Sequence, residues 1–158
     1  MKLIPLTQDK FAKVDDADFD WLSQFKWYPH KWKRSRAIYA VRNVSAKEFP
    51  LVGKKQLTMH EMLLPGVPKV DHKDNDGLNN QRHNLRAATH QQNIANARGR
   101  IGHSSPFKGV RFRADRSCYQ ARLGKTYLGS FDTAEDAART YNAAAKKQYG
   151  DFAYLNPV

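Results

Sequence analysis

The chain has 158 residues, 41% hydrophobic and 11% aromatic, which suits one folded domain or two small ones better than a disordered tail. Its 27 Lys and Arg against 15 Asp and Glu leave a net charge of +12, and a field of that sign draws polyanions, nucleic acid above all. No apolar run approaches the roughly 18 residues that span a bilayer. "MKLIPLTQDKF" meets Pro5 and polar residues too early for a secretory leader, and the lone Cys118 excludes an internal disulfide and a cysteine-rich zinc cluster. A reducing cytoplasm is the expected setting.

Residues 1–57 mix short alternating segments such as "AIYAVRNV" with one expected helix, "DADFDWLSQF". Asp15 or Asp16 is placed to cap it, and Phe19, Leu22 and Phe25 form its apolar stripe. Between Lys26 and Arg42, Trp and Tyr alternate with Lys and Arg, a pattern open to two readings: core aromatics or added DNA contacts. "QLTMHEMLLPG" reads as a short helix stopped by Pro65 and Gly66. "KVDH" then reads as a strand, "KDNDGLNNQRHN" as a turn-rich loop, "LRAAT" as a second strand and "HQQNIANAR" as a helix. Thr89 with Gln92 three residues on has the pattern of a capping box.

"GRIGHSSP" reads as a linker. Beyond it, "FKGVRFR", "CYQARL" and "KTYLGSF" read as three short strands turning at "ADRS" and "GK". The last helix, "TAEDAARTYNAAAKKQYG", is expected to be capped by Asp132 and ended by Gly150. Its Ala134, Ala137, Ala138, Tyr141, Ala144 and Ala145 share one face, narrow enough to lie close on a sheet. From Arg98 to Lys125 there are eight basic residues and one acidic residue.

The polar stretch "VDHKDNDGLNNQRHNLRAATHQQN" admits three chemistries. A calcium loop with Gly77 at its sixth position would need Asp and Glu where His72 and His83 stand. Zinc has His72, His83, His90 and Asp71 to draw on, but no helical His pair or tight knuckle. A nuclease centre fits the order of elements, since a strand–loop–strand–helix unit can bring Asp71, His72, Asn84 and Asn93 to one cleft. Phosphodiester hydrolysis needs an activated water, a cation on the phosphate and a stabilised leaving oxygen. His72 has the pKa range to take the proton from water. Asp71 and Asn93 offer hard oxygens suited to Mg²⁺ or Mn²⁺, and Asn84 can hold the His72 ring or the loop.

"VDH", "NLR" and "QQN", with 12 residues from His72 to Asn84 and nine from Asn84 to Asn93, resemble the HNH, or ββα-metal, endonuclease motif in the variant whose third position is Asn. "MHEMLL" and "DNDGLNN" are similar to the flanks of homing-type members. The resemblance implies His72 as general base, Asp71 and Asn93 as metal ligands and Asn84 as the structural Asn. His60 matches a frequent family position and is expected to pack. The Asn at the third position favours Mg²⁺ or Mn²⁺ over Zn²⁺. Members of this kind point to a phage or mobile element in a bacterial cytoplasm.

Phe107 to Asn156 resembles the plant APETALA/ethylene-response-factor DNA-binding domain, through "GVRFR", "YLGSFDTAEDAARTYNAAAKKQYG" and "AYLN". That family docks a three-stranded sheet in the major groove, and the resemblance implies Arg111, Arg113, Arg122, Lys125 and Tyr127 as DNA contacts. "ADRSCY" departs from the plant pattern, and Arg122 stands where the family usually has Glu, so the target sequence does not carry over.

The expectation is an α+β chain. Residues 1–57 form a β-rich N-terminal extension and 58–98 a ββα-metal catalytic core. A linker over 99–106 leads to a DNA-binding domain of three antiparallel strands and one helix over 107–158. The implied partner is double-stranded DNA, with no membrane, no obligate protein partner, and a monomer or homodimer. A metal-dependent, site-directed nicking endonuclease is the leading function. A non-catalytic, sequence-specific regulator on the same scaffold is its rival, and a non-specific or RNA-cleaving nuclease is a second.

Overall fold

The computed structural model describes residues 1–33, 37–99 and 104–158; the middle of the expected linker, 100–103, lies outside them. The chain is α+β and divides into two compact units, Met1–Ala88 and Thr89–Val158.

The first unit opens with a hairpin of β1 (Lys2–Pro5) and β2 (Phe11–Val14), which places Ile4, Ala12 and Val14 on the buried face. Helix α1 (Asp16–Leu22) follows. Asp15 sits at its N-cap position but makes no capping bond; its carboxylate instead accepts from Arg82 N and Gln81 Nε2. Of the expected stripe, Leu22 is buried, with Phe19 and Phe25 packed against the same core. A second antiparallel sheet has the order β3 (Tyr28–His30), β4 (Tyr39–Asn43), β5 (Gln56–Thr58), with the single-turn helix α2 (Phe49–Val52) in the connection. "QLT", expected to be helical, is thus a strand, because Leu57 and Thr58 pair with Arg42 and Val41. Helix α3 (Met59–Leu63) starts at Thr58 with a complete capping box to Glu61 and buries Met59 and Leu63. The last hairpin pairs β6 (Val70–His72) with β7 (Leu85–Ala87). Trp27 is fully buried and donates its Nε1–H to Leu22 O, so this ring of the basic segment is core.

The second unit begins with helix α4 (His90–Asn96), whose Thr89–Gln92 capping box is present as expected. The sheet follows, in the order β10 (Thr126–Phe131), β9 (Cys118–Leu123), β8 (Val110–Arg113), all antiparallel. Helix α5 (Ala134–Tyr149) packs Ala137, Ala138, Tyr141 and Ala145 against Val110, Ala121 and Leu123. Its cap is Thr133, not Asp132, because the Thr133 side chain accepts from Asp136 N. Gly109 has φ +77°, and a Cβ there would collide with the Tyr141 ring, so the approach of sheet to helix depends on glycine. The buried Asn156 closes the unit by bonding Lys108 and Asn142 on both of its amide atoms and its backbone. No helix among the described residues is long and apolar enough to cross a membrane.

Candidate active site and nucleic-acid interface

The β6–β7 hairpin sets the first part of the site. Asp71 and His72 end β6, and both are buried. Across the hairpin Asp71 faces Arg86 and His72 faces Leu85. Arg86 Nε donates to Asp71 Oδ2 at 2.8 Å, and its Nη2 lies 2.7 Å from the same oxygen. A buried carboxylate beside a partly buried guanidinium is compensated charge, which is what allows Asp71 to lie in the interior.

Asn84 secures the loop rather than the imidazole. Its Nδ2 donates to Asp74 Oδ1 and Asn79 O, and its Oδ1 accepts from Asp74 N. Two Asx turns, Asp76 N to Asp74 Oδ1 and Leu78 N to Asp76 Oδ1, fold the loop further. Backbone bonds from Asn80 N to Lys13 O and from Lys13 N to Leu78 O tie it to β2. Gly77 is required there because a Cβ would strike Ile38 O and the Tyr39 ring.

The imidazole of His72 is instead met by Asn80, a fully buried residue whose Oδ1 lies 3.4 Å from His72 Nε2. The rings of His60 and Tyr39 stand edge-on to it, with centroids 5.1 and 5.7 Å away. Burial pulls the His72 pKa below the ordinary histidine value, against the Asn80 bond and the charges of Asp74, Asp71 and Asp76. The lowered pKa favours the neutral imidazole, the form with a lone pair to accept a proton. His60 is held lower still, at about 3, mainly by burial and then by His72. His83 and His90 are exposed, as bystanders would be.

Asn93 lies on α4 in the second unit. Its Oδ1 is buried and has no hydrogen-bond partner. A desolvated carbonyl oxygen without a donor is costly unless a cation or water meets it. Among the described residues, no three His, Cys, Asp or Glu side chains gather to hold a metal. An amide oxygen of this kind is a hard donor.

On the sheet of the second unit, α5 covers the face of Val110, Ala121 and Leu123. Strand alternation puts Arg111, Arg113, Gln120 and Arg122 on the opposite face, with Tyr127 across from Arg122 and Ser130 across from Gln120. All five residues expected to touch DNA lie on this face or in its β9–β10 turn. Arg113 is tied to Asp115 by two hydrogen bonds, and Arg122 donates to Lys125 O. Tyr127 and Ser130 bond each other through their hydroxyls.

Arg86, Gln120 and Asn80 are among the residues around these side chains that the sequence does not single out. Arg86 had a signal, since strand register places it opposite Asp71. Gln120 also had one, through its alternation with Arg122. Asn80 had none, because its contact arises only when the loop folds onto β2.

No family model matches the chain, and no solved structure does either. Among curated proteins it is 33% identical, over 153 aligned residues, to an uncharacterized HNH endonuclease of Acanthamoeba polyphaga mimivirus. The match covers 89% of this chain and 75% of that protein. With the Asp-His pair buried at the end of β6 and the Asn-Leu-Arg segment leading into β7, the chain belongs to the HNH endonucleases.

Proposed function

We propose that the chain is a metal-dependent, site-directed DNA endonuclease of the variant with Asn at the third signature position, cutting one strand per binding event. The observation that carries this reading is the buried His72 next to the buried carboxylate of Asp71. His72 takes the proton from the attacking water, a role that requires the imidazole to be unprotonated at working pH. Asp71 and Asn93 are the proposed ligands for a divalent ion, Mg²⁺ or Mn²⁺, which when bound supplies positive charge to the scissile phosphate. Arg86 holds the Asp71 carboxylate in orientation through its Nε and Nη2. Asn84 holds the loop that carries Asn80, and His60 and Tyr39 wall the imidazole from solvent.

The C-terminal sheet, in this reading a relative of the APETALA/ethylene-response-factor domain, places Arg111, Arg113, Arg122, Lys125 and Tyr127 against double-stranded DNA. The resemblance to homing-type members supports a phage or mobile-element origin in a bacterial cytoplasm. One chain with one catalytic His supports nicking, and a double-strand cut would need a symmetric dimer or a second cutting event.

The rival reading, a DNA-binding regulator without catalysis, draws on the Arg86 ion pair that occupies one oxygen of Asp71. Supercoiled plasmid with Mg²⁺ or Mn²⁺ separates the two. Relaxed circles that require metal are expected. His72→Ala should lower their rate by about 10²–10⁴. Plasmid left supercoiled under all metals would return the regulator reading.

A further inference from the structure

The exposed face of the C-terminal sheet carries polar side chains in two different states. Arg113 is held by Asp115, Arg122 by Lys125 O, and Tyr127 by Ser130. Among the described residues of the three strands, Arg111 and Gln120 have no intramolecular hydrogen bond or ion pair on their side chains. They are direct partners in the β8–β9 register, and Gln120 is in turn the partner of Ser130, so it sits in the middle of the central strand. Neither was left unbonded for want of exposure, since Arg111 is exposed and Gln120 half-exposed.

We propose that Arg111 and Gln120 act as one specificity-determining pair, reading a guanine and an adenine in adjacent base pairs of the major groove. The inference rests on the reading of this sheet as a DNA-binding face and assigns the work within it. Guanine offers the O6 and N7 acceptors that match the two donors of an Arg fork, and adenine offers the N6 donor and N7 acceptor that match a Gln amide. Side chains directly opposite on antiparallel strands stand about 4.5–5.5 Å apart at Cβ, and neighbouring base pairs about 3.4 Å apart along the axis. One cross-strand pair therefore spans one base step. Both side chains are uncommitted, so binding a base requires no internal bond to break. Arg122, fixed on a neutral carbonyl, keeps its positive charge for phosphate, which positions the duplex without reading it, whereas the charge of Arg113 is compensated by Asp115. Arg111, Arg122 and Lys125 on this face, in a chain of net charge +12, favour a polyanion such as nucleic acid.

The test is selection from a duplex library with a randomised core, using the full chain in chelator so that no strand is cut. The wild type should enrich duplexes with a guanine and an adenine at two fixed, adjacent positions. Gln120→Ala should lose the preference for adenine and keep that for guanine, and Arg111→Ala should do the reverse. Each substitution should weaken binding to the selected duplex by about 5- to 100-fold, with little change on a shuffled duplex. If Gln120→Ala keeps the same preference and affinity while Lys125→Ala and Arg111→Ala weaken binding, the pair is overturned and the sheet remains the DNA face. If none of the three substitutions alters binding to either duplex, the sheet itself is not the DNA face and the pair falls with it.

Discussion

At the scale of single residues, the chemistry of the active site depends on how His72 is held. With Asn80 Oδ1 as acceptor, His72 carries its proton on Nε2 and keeps its lone pair on Nδ1. Asn80→Ala should then lower kcat on plasmid by about 10- to 100-fold with KM for DNA nearly unchanged. A kcat equal to that of the wild type would mean that ring packing alone orients the imidazole. His60 bears on stability rather than on the proton. Its pKa is about 3 when folded and near 6.5 when unfolded. Between those values the unfolded chain binds a proton that the folded chain does not, so stability is full above about pH 6.5 and falls as pH drops toward 3. The slope approaches about 1.4 kcal/mol per pH unit at most. Thermal melts at pH 7 and pH 5 should show a smaller loss for His60→Phe than for the wild type; equal losses would place the acid sensitivity elsewhere.

At the scale of elements, local pattern and long-range pairing divide what the sequence discloses. Helix α5, its three-stranded sheet and the Thr89 capping box were all readable, because each is signalled within a few residues by alternation, a helical stripe or a cap. Strand β5 was not, since three residues carry no period and only pairing with β4 makes them a strand. The candidate site follows the same rule. Asp71, His72 and Asn84 stand out in a motif, whereas Asn80 and Gly77 matter only through Lys13, Ile38 and Tyr39, more than thirty residues away in the chain. Glycines make the distinction measurable. Gly109 and Gly124 both have positive φ, but a Cβ at Gly124 would meet nothing, whereas at Gly109 it would meet the Tyr141 ring and Arg122 O. Gly124→Ala should cost about 1–2 kcal/mol from backbone conformation alone. Gly109→Ala should cost clearly more, read as the drop in urea midpoint at constant slope. The opposite ranking would mean that α5 can shift off the sheet without penalty.

At the scale of the whole molecule, the charge surplus is shared. Met1–Ala88 has 16 Lys and Arg against ten Asp and Glu, and Thr89–Val158 has 11 against five, so each unit carries the same excess of six. Neither unit is a neutral catalytic body guided by a basic tail. Binding to random-sequence DNA should accordingly be governed by counterion release, with log K falling linearly against log salt by about 0.9 for each phosphate neutralised. Lys125, in the turn at the edge of the sheet face, is expected to contact phosphate, and Lys31, exposed in the aromatic-basic segment, to do the same from the first unit. Fluorescence anisotropy on a labelled random duplex, in chelator and across a salt series, reads both. Lys125→Ala and Lys31→Ala should each make the slope shallower by about 0.9, and the double substitution should add the two effects, since the residues lie in separate units. A shallower slope for Lys125→Ala alone would confine the electrostatic footprint to the C-terminal unit. The Lys26–Arg42 segment would then serve the core through Trp27, and its charge would serve solubility.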